Sequence, residues 1–393
     1  MKKTLKAFLK SSKLFYILYF YIGTYFLKFI GLFIKINNNR VLFVSYGGKK
    51  YDDSPKVIYE ELKNNIKYKD FEFKWAFINP TDFNEVEKNN KIKIDTMKYY
   101  LYALSSKYWI SNSSVQRGLI FKRKNNMNIL FMHGLTALKK NNKNFKSVGK
   151  QFKMVKPECF DKVFIEGAKE EKLVLENINV EPNNLFNYGL PRNDELLKLN
   201  NKKEINKIKE KLGLSFDKKV ILYAPTYREY SKTKTGKIFV EPVINISNWE
   251  KELGEKYILL VTSHYEIGNK FNIDFNNKFV KDVSNYNSIN ELMVISDLLI
   301  TDYSNIVFDY SILEKPVFSY AYDYEEYIKK GRGLYNDIKD IYKERFIQEE
   351  NKLISMINNL DYEKEKINAS IIRNNFILNY GSATEKCIKE IFK

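Results

Sequence analysis

The sequence predicts an α/β protein made of two consecutive Rossmann-like domains, each a parallel sheet, around a central cleft, preceded by a membrane-associating helix. Three observations carry this. Short apolar runs alternate with helical segments in two successive series along the 393 residues, the pattern of parallel strands joined by crossover helices. The length suits two domains, and 44% hydrophobic with 15% aromatic residues is enough for sizeable cores and argues against global disorder. Polar and ionisable residues gather at the carboxyl ends of the apolar runs, which is where open parallel sheets hold ligands.

The N-terminal segment carries Lys2, Lys3, Lys6, Lys10 and Lys13, then "LFYILYFYIGTYFL", Lys28, "FIGLFI" and Lys35. The uncharged run 14–27 is shorter than the roughly 20 residues of a span; reading on through Lys28 to Ile34 reaches that length with one charge inside. No small-residue cleavage site follows, which argues against a removable signal peptide. An aromatic-rich apolar run flanked by lysines suits a helix lying in an anionic interface. A true span and a core or oligomer helix are the alternatives. With the lysines inside, either membrane reading leaves the body of the protein cytoplasmic.

The first series runs "VLFVSYGG", helical "SPKVIYEELKNN", "FEFKWAFIN", "KYWISNSS", "NILFMHG" and "DKVFIEG". It pauses at "NYGLPRNDELLKLNNKKEINKIKEKLGL", a Pro turn followed by a charged amphipathic helix. The second series runs "KKVILYAPTYRE", "KYILLVTSH", "KFVKDV", "DLLITDYS" and "KPVFSYAY". The expected division is therefore 1–38 for the membrane-associating segment, 39–192 and 193–375 for the two domains, and 376–393 for a C-terminal helix.

Lys plus Arg exceed Asp plus Glu by 18, which suits an anionic partner such as a membrane surface or a phosphorylated substrate. A Lys- and Asn-rich composition, of the kind an AT-biased genome produces, accounts for part of that excess. No RNA- or DNA-reading module is visible, so nucleic acid is not expected as a partner. The two cysteines, Cys159 and Cys387, exclude a disulfide framework and a Cys-based zinc site. No metal-ligand cluster stands out, and "GGKK" at 47–50 lacks P-loop spacing; it reads as a turn. Imidazole chemistry rests on His133 and His264, the two histidines.

These histidines fall at strand ends, His133 after "NILFM" and His264 after "YILLVTS". Thr226 and Arg228 follow "ILYAP", and Thr301 to Asn305 follow "DLLI". Four such ends in two domains converge on one cleft. In "LLITDYSNIVFDYSILEKPVFSYAYDYEEY", Ser304 and Asn305 stand at a helix start. Free N–H groups and the helix dipole suit an anion there, although capping alone accounts for both residues. Asp309 lies one turn on from Asn305, where an acidic residue reads a sugar hydroxyl. A nucleotide would lie with its phosphate on Ser304 and its ribose toward Asp309.

Together, "MHGLTALKK", "GLPRND", "ILYAPTYRE", the 298–327 stretch just quoted and "GRGLY" resemble the CDP-glycerol glycerophosphotransferases of teichoic acid and capsule assembly. "VLFVSYGGKKYDDSPKVIYEEL" looks like that family's N-terminal strand and turn. Each motif alone is weak; five in order over about residues 40–340 are specific. The resemblance implies a GT-B-like architecture, with an acceptor-side first domain and a CDP-polyol-binding second domain. It implies transfer of glycerol phosphate or ribitol phosphate from a CDP-polyol to a lipid-linked saccharide acceptor, release of CMP, no cofactor beyond the donor substrate, and peripheral attachment to the cytoplasmic face of the membrane. By this resemblance His133 is the base, His264 meets the donor pyrophosphate and Arg228 the donor phosphate. Thr262 departs from the pattern, standing where the family often has a basic residue. A nucleotide-sugar glycosyltransferase of the same architecture is the alternative enzyme, and a basic membrane-associated scaffold the non-enzyme alternative. The oligomeric state is left open.

Overall fold

The computed structural model of the chain describes residues 13–133, 138–140, 157–226, 228, 244–262, 277–331 and 333–393. The first sheet comprises β1 (Asn37–Val44), β2 (Glu72–Phe77), β3 (Lys91–Lys93), β4 (Ser106–Ser111), β5 (Met127–Phe131), β6 (Lys162–Ile165) and β7 (Leu185–Asn187). The second comprises β8 (Lys219–Tyr223), β9 (Tyr257–Val261), β10 (Val280–Asp282), β11 (Leu298–Thr301), β12 (Val317–Tyr320) and β13 (Phe346–Ile347). Their orders are β3-β2-β1-β4-β5-β6-β7 and β10-β9-β8-β11-β12-β13, and the pairings within both sheets are parallel. The two-domain, GT-B-like α/β architecture expected from the sequence is what the chain adopts.

Parallel strands are covered by helices on both faces, so their side chains are buried on both. In β8, Val220 and Leu222 enter one core while Ile221 and Tyr223 enter the other. In β1, Val41 and Phe43 alternate with Leu42 and Val44 in the same way. Each such side chain stabilises the fold by roughly 1.5–3 kcal/mol through burial. This two-sided burial is why the strands read as unbroken apolar runs. The strands missing from the sequence reading, β3, β7 and β13, are three, three and two residues long; β10 is equally short but shows through the adjacent apolar Phe279 and Val280 of "KFVKDV".

In each sheet the strand order reverses once, between β1 and β4 and between β8 and β11. Loops leaving the carboxyl ends on either side of such a reversal diverge and open a crevice. The two crevices face each other, and chain crossings tie the domains together. The helix Tyr362–Phe376 puts Ile372 and Phe376 into the second-domain core. The chain then returns, and the helix Ala383–Ile391 packs Cys387, Ile388 and Ile391 beneath the first sheet with Val41 and Phe131. The returning segment is pinned by Leu378 N–H donating to the Glu166 carbonyl at 3.0 Å, by Asn379 Nδ2 donating to the Asn187 carbonyl at 2.9 Å, and by a Lys162–Glu390 ion pair at 2.6 Å.

The N-terminal helix runs unbroken over Lys13–Phe33. Phe20, Thr24 and Leu27 are buried against the first domain. Gly23 and Gly31 permit the close approach: a Cβ there would come to 3.1 Å from Leu119 and 3.2 Å from Leu104. The opposite side exposes Ile22, Tyr25, Phe29, Leu32 and Phe33. By length and composition, Leu14–Phe33 is long and apolar enough to cross a membrane.

Candidate active site

At the first-domain crevice, the loops after β1 and β4 interlock. The Tyr46 N–H donates to Asn112 Oδ1 at 2.7 Å and the Gly47 N–H to Ser113 Oγ at 2.9 Å. The β1 loop turns through Gly47 and Gly48 at φ +64° and +86° and reaches Asp52 and Asp53, where the helix Asp53–Asn64 starts. Asp53 holds a left-handed φ of +68°, a strained conformation for a non-glycine residue. Its carboxylate is tied down on every side. Oδ1 accepts from the Ser54 N–H at 2.6 Å; Oδ2 accepts from the Tyr46 hydroxyl at 2.8 Å and from Asn112 Nδ2 at 2.9 Å. Burial opposes ionisation of Asp53, but the Arg192 guanidinium and these donors outweigh it and keep its pKa below the ordinary value. Asp52, one residue earlier, has burial with little compensation: its pKa is pushed up to about 7, with Lys50 pulling the other way.

His133 follows β5. Its ring is open to the cleft yet walled by protein on its other sides, with Tyr46 edge-on at 6.0 Å between ring centres. The loss of hydration lowers its pKa; Arg192 adds to that, while Asp53 and a hydrogen bond with the Asn112 backbone oppose it. The imidazole is thus neutral at neutral pH, the state a proton acceptor needs.

At the second-domain crevice the "TDYSN" loop is organised by Asp302. Its Oδ1 accepts from the N–H groups of Thr226 at 2.8 Å and Tyr303 at 2.6 Å, and its Oδ2 from Arg228 Nη1 at 2.8 Å. Arg228 also donates through Nε and Nη2 to both Asp323 oxygens, at 2.6 and 2.8 Å, and lies against the rings of Tyr303, Tyr322 and Tyr327. Ser304 Oγ accepts from the Ile306 N–H at 3.4 Å. Asn305 occupies the cap position of the helix Ile306–Ser311 but makes no side-chain cap bond. Its Oδ1 is buried without a hydrogen-bond partner among the described residues.

One cavity of about 520 Å³ joins the two crevices. His133, Tyr46, Lys50 and Asp52 line it from the first domain; Thr226, Thr262, Ser304, Asn305 and Asp309 line it from the second. Of the residues singled out by the sequence, His133, Thr226, Ser304, Asn305 and Asp309 are therefore brought together. Thr301 is fully buried and donates its hydroxyl to the Ala224 carbonyl at 2.7 Å, so it braces the loop from within the sheet. Arg228 lies behind the cavity wall, its donors committed to Asp302 and Asp323. His264 lies outside the described residues. Next to the cavity, segments from the two domains pair directly: Lys139 bridges Leu334, the Tyr335 N–H donates to the Leu138 carbonyl at 2.8 Å, and Lys139 Nζ reaches Thr226 Oγ1 at 3.4 Å. Leu138 and Lys139 from the first domain and Leu334 and Tyr335 from the second thus form a clasp across the cleft.

Sequence reasoning missed Asp52, Asp53, Arg192 and Asp302. The signals were present: an Asp pair before a Ser-Pro helix start, an arginine inside "GLPRND", and the Asp of "TDYSN". What was not visible is Arg192's reach. It donates to the Met132 carbonyl at 2.9 Å, to Glu166 Oε1 at 3.2 Å and to Asp309 Oδ1 at 3.0 Å. Burial pushes the Glu166 and Asp309 carboxyls up, against the pull of Arg192.

Comparison with known proteins bears on the family and the fold. A family model described as CDP-Glycerol:Poly(glycerophosphate) glycerophosphotransferase matches residues 26–393. A teichoic acid poly(glycerol phosphate) polymerase of Staphylococcus epidermidis is 35% identical over 322 residues, which are 77% of this chain and 43% of that protein. The chain thus spans less than half of that relative's length. A teichoic acid poly(glycerol phosphate) polymerase of Bacillus spizizenii is 29% identical over 383 residues, 93% of this chain and 94% of that one. A solved structure of the wall teichoic acid polymerase TagF superposes with a TM-score of 0.80 at 31% identity, covering 91% of this chain and 89% of that chain.

Proposed function

The chain belongs to the CDP-glycerol:poly(glycerophosphate) glycerophosphotransferase family, and from that premise we propose that it transfers a polyol phosphate, glycerol phosphate or ribitol phosphate, from a CDP-polyol to a hydroxyl of a lipid-linked saccharide acceptor in teichoic acid or related polymer synthesis. The observation that carries this reading is the single cavity with His133 on one wall and Thr226, Ser304 and Asn305 on the other.

In this reading the donor pyrophosphate lies against the second domain, near the Ser304 turn, the first N–H groups of the following helix and Lys139. His264, two positions beyond cavity-lining Thr262 in the sequence, is its further partner. The buried Asn305 Oδ1 would be satisfied by a hydroxyl of the ribose or polyol. The acceptor hydroxyl enters from the first domain and gives its proton to His133 as its oxygen bonds to the phosphorus that carries the polyol. The bridging P–O bond breaks and CMP leaves with the electron pair. Such a transfer asks the protein mainly for alignment and charge neutralisation, and lysines 50, 139 and 140 supply positive charge around the cavity. The N-terminal helix, docked by one face and apolar on the other, would hold the enzyme peripherally on the cytoplasmic face of the membrane.

The test is CMP release from CDP-glycerol and CDP-ribitol in the presence of a lipid-linked acceptor, with UDP- and CMP-sugars as rival donors. His133→Ala should keep donor affinity and lose about 10²–10⁴-fold in kcat. His264→Ala should weaken donor binding as well. Turnover of a nucleotide sugar alone, or full activity of the His133 variant, would refute the reading.

A further inference from the structure

The sequence reading singled out "GLPRND" without giving its arginine a task, and the proposed mechanism does not use it either. Arg192 is 5% exposed and touches both halves of the site. On the first-domain side, Nη1 donates to the carbonyl of Met132, the residue before His133, at 2.9 Å, and lies 3.6 Å from Asp53 Oδ1. Asp53 in turn holds the Tyr46 hydroxyl and the Asn112 side chain, and these two residues contact the His133 ring edge-on and through the backbone. On the second-domain side, Nη2 donates to Asp309 Oδ1 at 3.0 Å, and Asp309 lines the cavity beside Asn305. The Arg192 backbone is pinned from both sides as well: its N–H donates to Ser54 Oγ at 3.4 Å, and its carbonyl accepts from Asn290 Nδ2 at 2.8 Å. A planar, always-charged fork is the side chain that can make such divergent contacts at once.

We propose that Arg192 is a positioning residue for the transfer step, setting the place of His133 from one side and the place of Asp309 from the other, so that base and donor meet in register. This inference rests on the transferase reading and on His133 as base. It differs from a fold-keeping role in a way that can be measured. Arg192 places a positive charge behind the imidazole, which disfavours the imidazolium. The other charged or titratable groups around His133 are Asp53 behind it and Tyr46, Lys50, Asp52, Lys139, Lys140 and Asp309 along the same cavity. Removing the Arg192 charge takes away that opposition to the imidazolium and also the charge that keeps Asp53 ionised, so the His133 titration must move, upward where Asp53 keeps its charge and downward where it does not.

The test compares Arg192→Lys and Arg192→Met in the full chain. Folding is followed by circular dichroism, donor affinity by titration with CDP-glycerol, kcat by CMP release, and His133 by imidazole NMR, its signal assigned by its loss in His133→Ala. The Lys variant should fold, bind donor as the wild type does and lose about 10²-fold in kcat, the scale of a small misplacement of a reacting group. The Met variant should show the same loss, with the His133 titration moved away from its wild-type position. Should the Met variant not fold, the Lys variant decides. Wild-type kcat in the variants, donor affinity falling in step with kcat, an unmoved His133 titration in the Met variant, or failure of the Lys variant to fold would each overturn the assignment. A wild-type chain that releases no CMP from either CDP-polyol would instead refute the transferase reading, a result separate from the NMR arm.

Discussion

Asp52 and Asp53 are adjacent acids at one helix start, and their neighbours push them in opposite directions. Asp53 has Arg192 and three hydrogen-bond donors, so it stays ionised; Asp52 is buried, and Lys50 and the Asp53 backbone N–H offset too little of that burial, so its pKa rises to about 7. The sign for stability follows. Above the ordinary pKa of 3.8 the unfolded chain releases the Asp52 proton, while the folded chain keeps it until about pH 7, so stability falls as pH rises through that window. Between pH 5 and 8 the loss attributable to Asp52 is roughly 2–3 kcal/mol. Asp52→Asn, which cannot ionise, should abolish that slope and be the more stable protein at pH 8. Urea denaturation of both proteins at pH 5, 6.5 and 8 checks this; parallel stability curves would rule it out. Asp53 contributes the opposite sign, stabilising above the ordinary carboxyl pKa and losing that contribution as pH falls through its depressed value.

Among the elements, the N-terminal helix has two unlike faces. Phe20, Thr24 and Leu27 are spent on the first domain, whereas Ile22, Phe29 and Phe33 form a stripe on the opposite side, at 67%, 60% and 76% exposure. Within the stripe, Phe29 and Phe33 pack edge-on at 5.2 Å. One face committed to protein and the other apolar and aromatic suit the interfacial placement proposed above. Changing Ile22, Phe29 and Phe33 together to Ser should lower partition into anionic vesicles by about 10²-fold or more, given roughly 1.5–3 kcal/mol per fully buried side chain. Thermal stability should hardly move, because these side chains contact little of the fold. Vesicle sedimentation and a melting curve test both halves; unchanged sedimentation would leave the stripe without a membrane role.

For the whole molecule, the domains are held by chain crossings as much as by side chains. The returning segment 377–382 passes so close to Gly189 that a Cβ there would stand 2.4 Å from the Asn379 carbonyl oxygen, and Gly189 itself sits at φ +84°. Gly189→Ala therefore meets a clash with backbone and a disfavoured dihedral angle together. It should destabilise the protein by about 2–4 kcal/mol and loosen the packing of the helix Ala383–Ile391. A lower Tm with faster amide exchange in that helix is the expected outcome; an unaltered Tm would mean that the crossing adjusts freely.

By itself the sequence determined the architecture and the neighbourhood of the chemistry. Ten of the thirteen strands among the described residues were legible, most of them because burial on both faces of a parallel sheet writes an apolar run into the strand. The rule that ligands lie beyond the carboxyl ends of such strands singled out His133, Thr226, Ser304 and Asn305, helical spacing from Asn305 added Asp309, and one cavity unites them. The tertiary structure alone decided which polar groups at those ends face the cavity and which face inward. Thr301 turns its hydroxyl to the Ala224 carbonyl, and Arg228 turns its guanidinium to Asp302 and Asp323, a choice of direction that residue type and spacing do not encode. It alone also revealed Arg192, whose partners Met132, Glu166 and Asp309 lie 60, 26 and 117 residues away. Local periodicity reports what a residue does for its own strand or helix. Contacts between domains depend on how finished elements dock, and no local pattern carries that information.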